Sequence, residues 1–170
     1  MTAVHWITLA IAAIAAACDL RWRRIPNLLT FGTALAGLAY HLLLNGVSGL
    51  GQSAAGWLVG AAIFIVPFAL RGLGGGDVKL LAALGAWVGP YEVLWLALYA
   101  GIAGGVMAVA VAVATGYMRK AFANIWMLLC HWRVAGITAL PELTLESSSA
   151  PKLAYAVPIL VGAVAVIWLG

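Results

Sequence analysis

The sequence predicts an all-α membrane protein with about six transmembrane helices. Of its 170 residues, 65% are hydrophobic and only 8% are charged, and the mean hydropathy is +1.08. A soluble domain carries about 25% charged residues, and so apolar a chain has too little polar surface to cover a core in water. The apolar residues also fall into six runs close to the length that crosses a bilayer, about 17–25 residues. These observations exclude an ordinary soluble domain and intrinsic disorder.

The six predicted transmembrane helices follow one another through a single domain, residues 1–170. They are residues 2–18, 28–44, 54–70, 77–90, 93–116 and 153–170. The fourth is short, and the glycine-rich loop 72–76 precedes it. Turn-forming residues at 45–53 separate the second helix from the third, and the Gly-Pro sequence at 89–90 separates the fourth from the fifth.

The basic residues predict the orientation of these helices. All nine lie in alternate connections or, for Lys79, in the first turn of the helix that follows one: Arg21, Arg23, Arg24, Arg71, Lys79, Arg119, Lys120, Arg133 and Lys152. Because basic connections stay in the cytoplasm, the six spans place both termini outside. The basic cluster at 21–24 follows the first apolar run, whereas a cleavable signal peptide carries its charges before the run. The pI near 9.4 therefore reflects topology, and no nucleic-acid partner is expected.

The longest polar connection, residues 117–152, is predicted to lie in the cytoplasm and to contain an amphipathic helix in the membrane interface. Large apolar residues recur there at helical spacing: Phe122, Ile125, Trp126, Leu129 and Trp132. The polar residues Lys120, Asn124 and His131 fall on another face. Residues 141–151 are predicted to be a loop.

Two glycine pairs have the four-residue spacing that lets membrane helices approach closely, Gly56 with Gly60 and Gly101 with Gly105. The alternative is that these are merely small residues in an alanine-rich chain. The sequence does not decide between the two interpretations.

The five carboxylates are the residues that indicate chemistry, because acids are costly within a membrane. Glu92, Glu142 and Glu146 fall in predicted connections and are interpreted as solvated charges. Asp19 and Asp77 each adjoin an apolar run, and the predicted topology places both at the cytoplasmic face.

Each aspartate also has a structural interpretation. Asp77 precedes an apolar helix and could be its N-cap, and Asp19 could pair with a neighbouring arginine. Two observations weaken these interpretations. Asp19 follows the C-terminal end of its helix, where the helix dipole disfavours negative charge. The loop 72–76 contains more glycine than a cap needs, which permits unusual dihedral angles and close approach of another backbone.

Two carboxylates at one membrane depth are the minimum apparatus of an aspartic protease. The ionised carboxylate activates water, and the protonated one donates to the carbonyl oxygen of the substrate. The dipole argument favours Asp77, at a helix N-terminus, as the base and Asp19 as the acid. A coupled pair titrates as a unit, however, so this assignment stays open.

Residues 19–27, DLRWRRIPN, resemble the D-x-R-x-x-x-I-P-N element of type IV prepilin peptidases. Residues 74–80, GGGDVKL, resemble the G-x-G-D element of the same family. The Gly-Pro at 89–90 and the AYAVP at 154–158 are also similar, although the family more usually has Pro-Tyr-Gly in the last span. The resemblance covers essentially the whole chain and is greatest to the small peptidases of tight-adherence (Flp, type IVb) pilus systems.

The resemblance implies that Asp19 and Asp77 are the catalytic residues and that the substrate is a prepilin or pseudopilin. Such a substrate has a short basic leader, a glycine before the scissile bond and then an apolar helix. Cleavage would occur at the cytoplasmic face of a bacterial inner membrane, without a cofactor or metal. Larger members have a methyltransferase activity and a four-cysteine zinc site. This chain has two cysteines, Cys18 and Cys130, so methylation is not expected.

Several further residues are predicted to bind substrate or to shape the site: Gly74, Gly75, Gly76, Lys79, Arg21, Pro26 and Asn27. A helical amide is hard to attack, so the glycine junction of the substrate must bind extended, and the loop 72–76 is the proposed contact. Lys79 is interpreted as tuning the environment of Asp77 or extending towards the interface. Arg21 and Arg23 are interpreted as topology, headgroup-binding or aspartate-orienting residues.

Two other function classes remain open from the sequence. In a small transporter, Asp19 and Asp77 would bind cations or relay protons, but transporters often carry internal repeats, and none is evident here. A non-catalytic subunit of a pilus or secretion apparatus is the other class. Cys18 is a poor candidate nucleophile because no histidine lies near it in sequence. The pair Cys130 and His131 offers two ligands, whereas a closed zinc site needs four.

Overall fold

The computed structural model describes residues 2–138 and 153–169, which form five α-helices and, within those ranges, no strand. The helices are α1 Ala3–Trp22, α2 Asn27–Ala69, α3 Gly75–Ala114, α4 Met118–Ala135 and α5 Ala156–Leu169. The all-α prediction is therefore confirmed for this part of the chain. By length and composition, α1, α2 and α3 are able to cross a membrane.

A tight connection joins α1 to α2. Arg23 ends α1 in the left-handed conformation, with φ 53°, and its N–H donates to the backbone carbonyl of Asp19 at 2.9 Å. Pro26 then caps the N-terminus of α2. Proline suits such a boundary because its ring fixes φ and it has no N–H to satisfy. The end of α1 and the start of α2 are thus held side by side.

Both long helices reverse direction at a glycine. Gly46 interrupts α2 with φ 62° and ψ −152°, and Gly89 interrupts α3 with φ 86° and ψ 175°. Glycine adopts such angles without the steric penalty that a Cβ would bring. Pro90 follows directly, and it is tolerated in the first turn of the next segment, where its missing N–H would have no helical partner. Each long helix therefore consists of two helical segments.

Contacts across the bundle show that these segments alternate in direction. The Ser53 hydroxyl donates to the Ala86 carbonyl at 2.6 Å, and a Cβ on Gly60 would lie 3.0 Å from the Cα of Ala82. Because one residue number rises while the other falls, the second segment of α2 is antiparallel to the first segment of α3. The first segment of α2 packs on the same stretch, where the Trp87 indole donates to the backbone carbonyl of Thr33 at 2.8 Å.

The predicted turn at 45–53 exists but is confined to Gly46, because the other residues of this stretch are helical. A single glycine with positive φ is enough to reverse the chain. The polar residues that suggested a turn are accommodated inside the helix, as Ser53 illustrates by bonding to Ala86. The predicted break between the fourth and fifth spans is likewise confined to Gly89 within α3.

The two glycine pairs, Gly56 with Gly60 and Gly101 with Gly105, differ in whether they pack against another helix. Gly56 and Gly60 pack against the backbone of α3, where added Cβ atoms would lie 2.8 Å from Gly89 Cα and 3.0 Å from the Leu81 carbonyl carbon. Close approach is therefore the correct interpretation for this pair. Gly101 and Gly105 have no atom within 4 Å of an added Cβ. They do not mediate packing, and Gly104 lies in the contact with α5 instead.

The predicted amphipathic helix is confirmed as a helix, α4, and none of its residues is buried. Phe122 and Trp126 are 65% and 71% exposed, so the apolar face of α4 has no packing partner among the described residues. Its location in the membrane interface stays a prediction. The predicted loop 141–151, with Glu142 and Glu146, lies outside the described residues.

The outside of the bundle carries many large apolar side chains, among them Leu35 and Leu43, which are 67% and 83% exposed. A surface of this kind suits contact with lipid. The two ends of the bundle carry polar groups: His5 meets Glu92 at one end. Asp19 lies roughly 20 Å further along α1, by the rise of 1.5 Å per residue. Six crossings and their orientation remain predictions.

Candidate active site

Asp19 lies in the last turn of α1, and its carboxylate reaches α5. The backbone N–H of Ala156, the first residue of α5, donates to Asp19 Oδ2 at 3.4 Å. The carboxylate is partly exposed. The N-terminal end of α5 therefore offsets the unfavourable position of this charge at the C-terminal end of α1, because helix N-termini attract anions.

Asp77 is buried, with 8% of its surface exposed, and lies in the first turn of α3. The alternative interpretation of Asp77 as the N-cap does not hold, because the N-cap is Gly74. Asp77 is the third residue of the helix, and its carboxylate accepts a hydrogen bond from the Gly74 N–H. An acid at this position commonly reaches back to the first free N–H in this way.

The two carboxylates are close enough to interact electrostatically. They line the same cleft, of about 620 Å³. The sequence favoured Asp77 as the base because it lies at a helix N-terminus. This position does not distinguish the two aspartates, because each carboxylate accepts a hydrogen bond from the N-terminus of a helix. The geometry places two acids at one end of the bundle, which is the arrangement that the sequence predicted.

Two stretches of chain form the walls of the cleft. One is the α1–α2 connection, which follows Asp19, and the other is the start of α3, around Asp77. The lining residues are Asp19, Trp22, Arg23, Arg24, Ile25, Pro26, Asn27, Gly74, Gly75, Gly76, Asp77 and Lys79. Most of the residues predicted to shape the site are thus brought together. Trp22, Arg24 and Ile25 were not predicted for this role, although they lie within the 19–27 element. For Arg23, orientation of the aspartates was one of the predicted alternatives.

The glycines before Asp77 work by allowing close packing. None of them has a positive φ, so the expectation of unusual dihedral angles is wrong. A Cβ on Gly76 would lie 3.4 Å from Ile25, and one on Gly74 would lie 3.1 Å from Asp77 Oδ2. Gly75 and Gly76 are already part of α3. The missing side chains leave room for the α1–α2 connection and for the carboxylate.

Lys79 connects the two walls of the cleft. Its ammonium donates to Asn27 Oδ1 at 3.0 Å and lies 5.3 Å from the centre of the Phe31 ring. Both partners belong to α2. Lys79 and Asn27 therefore tie the start of α2 to the start of α3, which is a more specific role than the sequence suggested.

Arg21 is the predicted site residue that the structure does not bring to the cleft. It is exposed, and its guanidinium lies 5.6 Å from the centre of the Trp22 ring. Arg23 and Arg24 are the arginines that line the cleft. The left-handed turn at Arg23 redirects the chain, and helical periodicity alone does not predict such a turn.

The start of α5 is the component that sequence reasoning left without a role. Besides the Ala156 N–H, it brings Tyr155 within electrostatic range of Asp77. The similarity of residues 154–158 to the last span of the family was visible in the sequence. The contact with Asp19 was not, because it joins residues 137 positions apart.

The other histidines, cysteines and glutamate of the described part of the chain do not line this cleft. His5 Nε2 lies 3.3 Å from Glu92 Oε2, and 38% of the Glu92 side chain is exposed, so Glu92 contacts both a histidine and solvent. His41 bonds to the Trp87 carbonyl at 2.9 Å. Cys18 and Cys130 are free thiols. Among residues 2–138 and 153–169, no three His, Cys, Asp or Glu side chains are grouped to hold a metal.

Comparison with known proteins gives a consistent result. Residues 6–109 match the model of the type IV leader peptidase family, a stretch that includes both aspartates. A prepilin leader peptidase/N-methyltransferase from Aeromonas hydrophila is 35% identical over 91 residues, which cover 49% of this chain and 30% of the relative. The chain thus matches less than a third of that protein's length. No solved structure matches.

Proposed function

Because the chain belongs to the type IV leader peptidase family, we propose that it is a membrane aspartic endopeptidase. Its substrates are type IV prepilins or pseudopilins of the Flp kind, from which it removes the short basic leader after a glycine. Asp19 and Asp77 are the catalytic residues. The observation that carries the proposal is that these two carboxylates line one cleft and interact electrostatically.

The proposed reaction is hydrolysis by a water molecule activated between the two carboxyl groups. The ionised carboxylate takes a proton from the water as its oxygen attacks the carbonyl carbon of the substrate glycine. The protonated carboxyl donates its proton to the carbonyl oxygen. Collapse of the tetrahedral intermediate breaks the C–N bond, and a proton passes to the leaving nitrogen. The leader departs with a new carboxylate, and the pilin with a new amine.

The cleft supplies what this substrate needs at the membrane face. The space left by Gly74, Gly75 and Gly76 accommodates an extended backbone. The substrate residue that enters this space is a glycine, which has no side chain to fit there. The exposed apolar surface of the bundle lets the apolar helix of the substrate stay in lipid. The basic leader stays in water. Arg23 and Arg24 line the cleft but carry the same charge sign as the leader, so they are not assigned to binding it.

We place the protein in a bacterial inner membrane, with six crossings, both termini outside and the cleft at the cytoplasmic face. The apolar helices and the alternating basic connections support this topology. Methyl transfer is not part of the proposal. Part of the Aeromonas hydrophila protein's name refers to that activity, but the match covers 30% of its length.

The other two function classes predict different behaviour of the same residues. A transporter would use acids along a pathway through the membrane, whereas both aspartates lie at one end of this bundle and the polar pair at the other end is His5 with Glu92. A non-catalytic assembly subunit would not need either carboxylate. The geometry therefore favours the peptidase.

The test is cleavage of a prepilin by the purified protein in detergent, followed by intact mass measurement of the products. The substrate carries a basic leader, a glycine and an apolar helix. The wild-type protein is expected to cut after the glycine and to add no methyl group when S-adenosylmethionine is supplied. Replacing the substrate glycine by leucine is expected to abolish cleavage.

Three variants complete the experiment. Asp19→Asn and Asp77→Asn are expected to yield folded protein without cleavage, because the amide keeps the shape but cannot exchange the proton. Glu92→Gln removes an acid at the opposite end of the bundle and is expected to cleave like the wild type. Processing by both aspartate variants, or a cut at another bond, would rule out the proposed mechanism.

A further inference from the structure

A side chain from another helix accepts a hydrogen bond at the N-terminus of α5. Ile159 donates to the Tyr155 carbonyl at 3.2 Å, which makes Tyr155 the residue that opens the helix. N-caps are normally Ser, Thr, Asp or Asn, because a short side chain with an oxygen accepts a first-turn N–H. Tyrosine cannot do so. Asp19 Oδ2 takes this place from another helix by accepting the Ala156 N–H at 3.4 Å.

The position of Tyr155 is fixed by packing on two sides. Its ring meets Phe64 edge to face, with 5.7 Å between ring centres and 73° between planes. On the other side it covers Gly104, where an added Cβ would lie 2.8 Å from the ring and 2.9 Å from Oη. The next residue, Ala156, is fully buried. Because Tyr155 and Ala156 are adjacent in the chain, a shift of this ring would displace the start of α5.

Gly104 contrasts with its neighbours on α3. Added Cβ atoms on Gly101 and Gly105 would meet nothing within 4 Å. The absence of a side chain at 104 is thus required by Tyr155, whereas at 101 and 105 it is not. This difference provides matched control positions within one helix.

We propose that Tyr155 is a positioning residue for the reaction: held between Phe64 and Gly104, it sets the N-terminus of α5 and, through the Ala156 N–H, the carboxylate of Asp19. This inference rests on the proposed peptidase function. Tyr155 is not part of the lining of the cleft. Moving it should therefore disturb the catalytic geometry and leave substrate binding largely intact.

The first experiment measures kcat and KM for prepilin cleavage by Gly104→Ala, with Gly101→Ala and Gly105→Ala as controls. Gly104→Ala should lower kcat about 10- to 100-fold with little change in KM, since a catalytic group displaced by about 1 Å costs a factor of this size. The two controls should behave like the wild type. Tyr155→Phe should retain most of the activity because the ring stays in place, and Tyr155→Leu should lose as much as Gly104→Ala.

The second experiment measures hydrogen–deuterium exchange of the backbone amides at 156–159, which does not depend on activity. Gly104→Ala and Tyr155→Leu should speed exchange there, while Gly105→Ala and Tyr155→Phe should not. Equal kcat and equal exchange for Gly104→Ala and its controls would overturn the inference. A rise in KM at constant kcat would also overturn it, because Tyr155 would then act on substrate binding. If the wild-type protein cleaves no prepilin, the proposed function fails. The exchange measurement still tests the role of Tyr155 in that case: faster exchange in Gly104→Ala supports it, and unchanged exchange contradicts it.

Discussion

At the scale of single residues, the scarcity of acids led the sequence analysis to Asp19 and Asp77. A carboxylate beside an apolar run is costly. Two such carboxylates at the same predicted face of the membrane therefore indicated a common catalytic function. Their hydrogen bonds were not predictable. Asp19 accepts from Ala156, 137 positions away, and periodicity carries no information about which helix N-terminus meets which side chain.

The capping contact predicts a difference between two variants of Asp19. Asp19→Asn keeps an oxygen that accepts the Ala156 N–H, whereas Asp19→Ala removes it. Losing such a cap costs about 1 kcal/mol. Both variants should be inactive, but Asp19→Ala should unfold at a lower temperature than Asp19→Asn in a thermal melt in detergent. Equal melting temperatures would show that Asp19 does not stabilise α5.

At the scale of the helices, the sequence predicted where apolar segments lie better than how they are joined. Turn-forming composition at 45–53 suggested a loop, but a single residue, Gly46 with φ 62°, reverses the chain. Composition does not reveal which glycine adopts positive φ. For the same reason the spacing of Gly101 and Gly105 suggested packing that the neighbouring Gly104 provides instead.

The packing of α2 on α3 predicts opposite effects of alanine at two glycines of α2. A Cβ on Gly60 would lie 3.0 Å from Ala82 Cα, whereas one on Gly32 would meet nothing within 4 Å. Gly60→Ala should lower the free energy of unfolding by about 1–3 kcal/mol through overpacking against backbone. Gly32→Ala should raise it slightly, by about 0.5–1 kcal/mol, because alanine is the better helix former.

Chemical denaturation in mixed micelles measures both changes. The matched pair separates packing from helix propensity, since both substitutions add one methyl group to the same helix. If Gly60→Ala is as stable as Gly32→Ala, the close approach of α2 and α3 is absent in the membrane protein.

At the scale of the whole molecule, the alternation of basic connections predicted which groups share an end of the bundle. Asp19 and Asp77 do line one cleft, and His5 meets Glu92 at the far end. The side of the membrane that each end faces rests on charge alone. The left-handed turn at Arg23 and the packing of Tyr155 arise from tertiary contacts, so they were beyond sequence reasoning.

Thiol labelling tests this orientation. Cys130 on α4 is exposed, and Tyr91, near the opposite end, is 71% exposed. In a Cys18→Ser background, a membrane-impermeant maleimide should label Cys130 in inverted vesicles but not in intact spheroplasts. A Tyr91→Cys variant that also carries Cys130→Ser should show the reverse pattern. The opposite result for either position would invert the topology and place the cleft outside.

The central claim is that Asp19 and Asp77 act as one unit, and single-turnover cleavage by the two single variants and the double variant tests it most directly. Groups that act together are strongly non-additive: removing one costs nearly as much as removing both. Asp19→Asn, Asp77→Asn and the double variant should each lower the cleavage rate by about a thousandfold or more, to the same residual level. Substantial activity in either single variant, or a double variant far slower than both, would contradict a shared dyad.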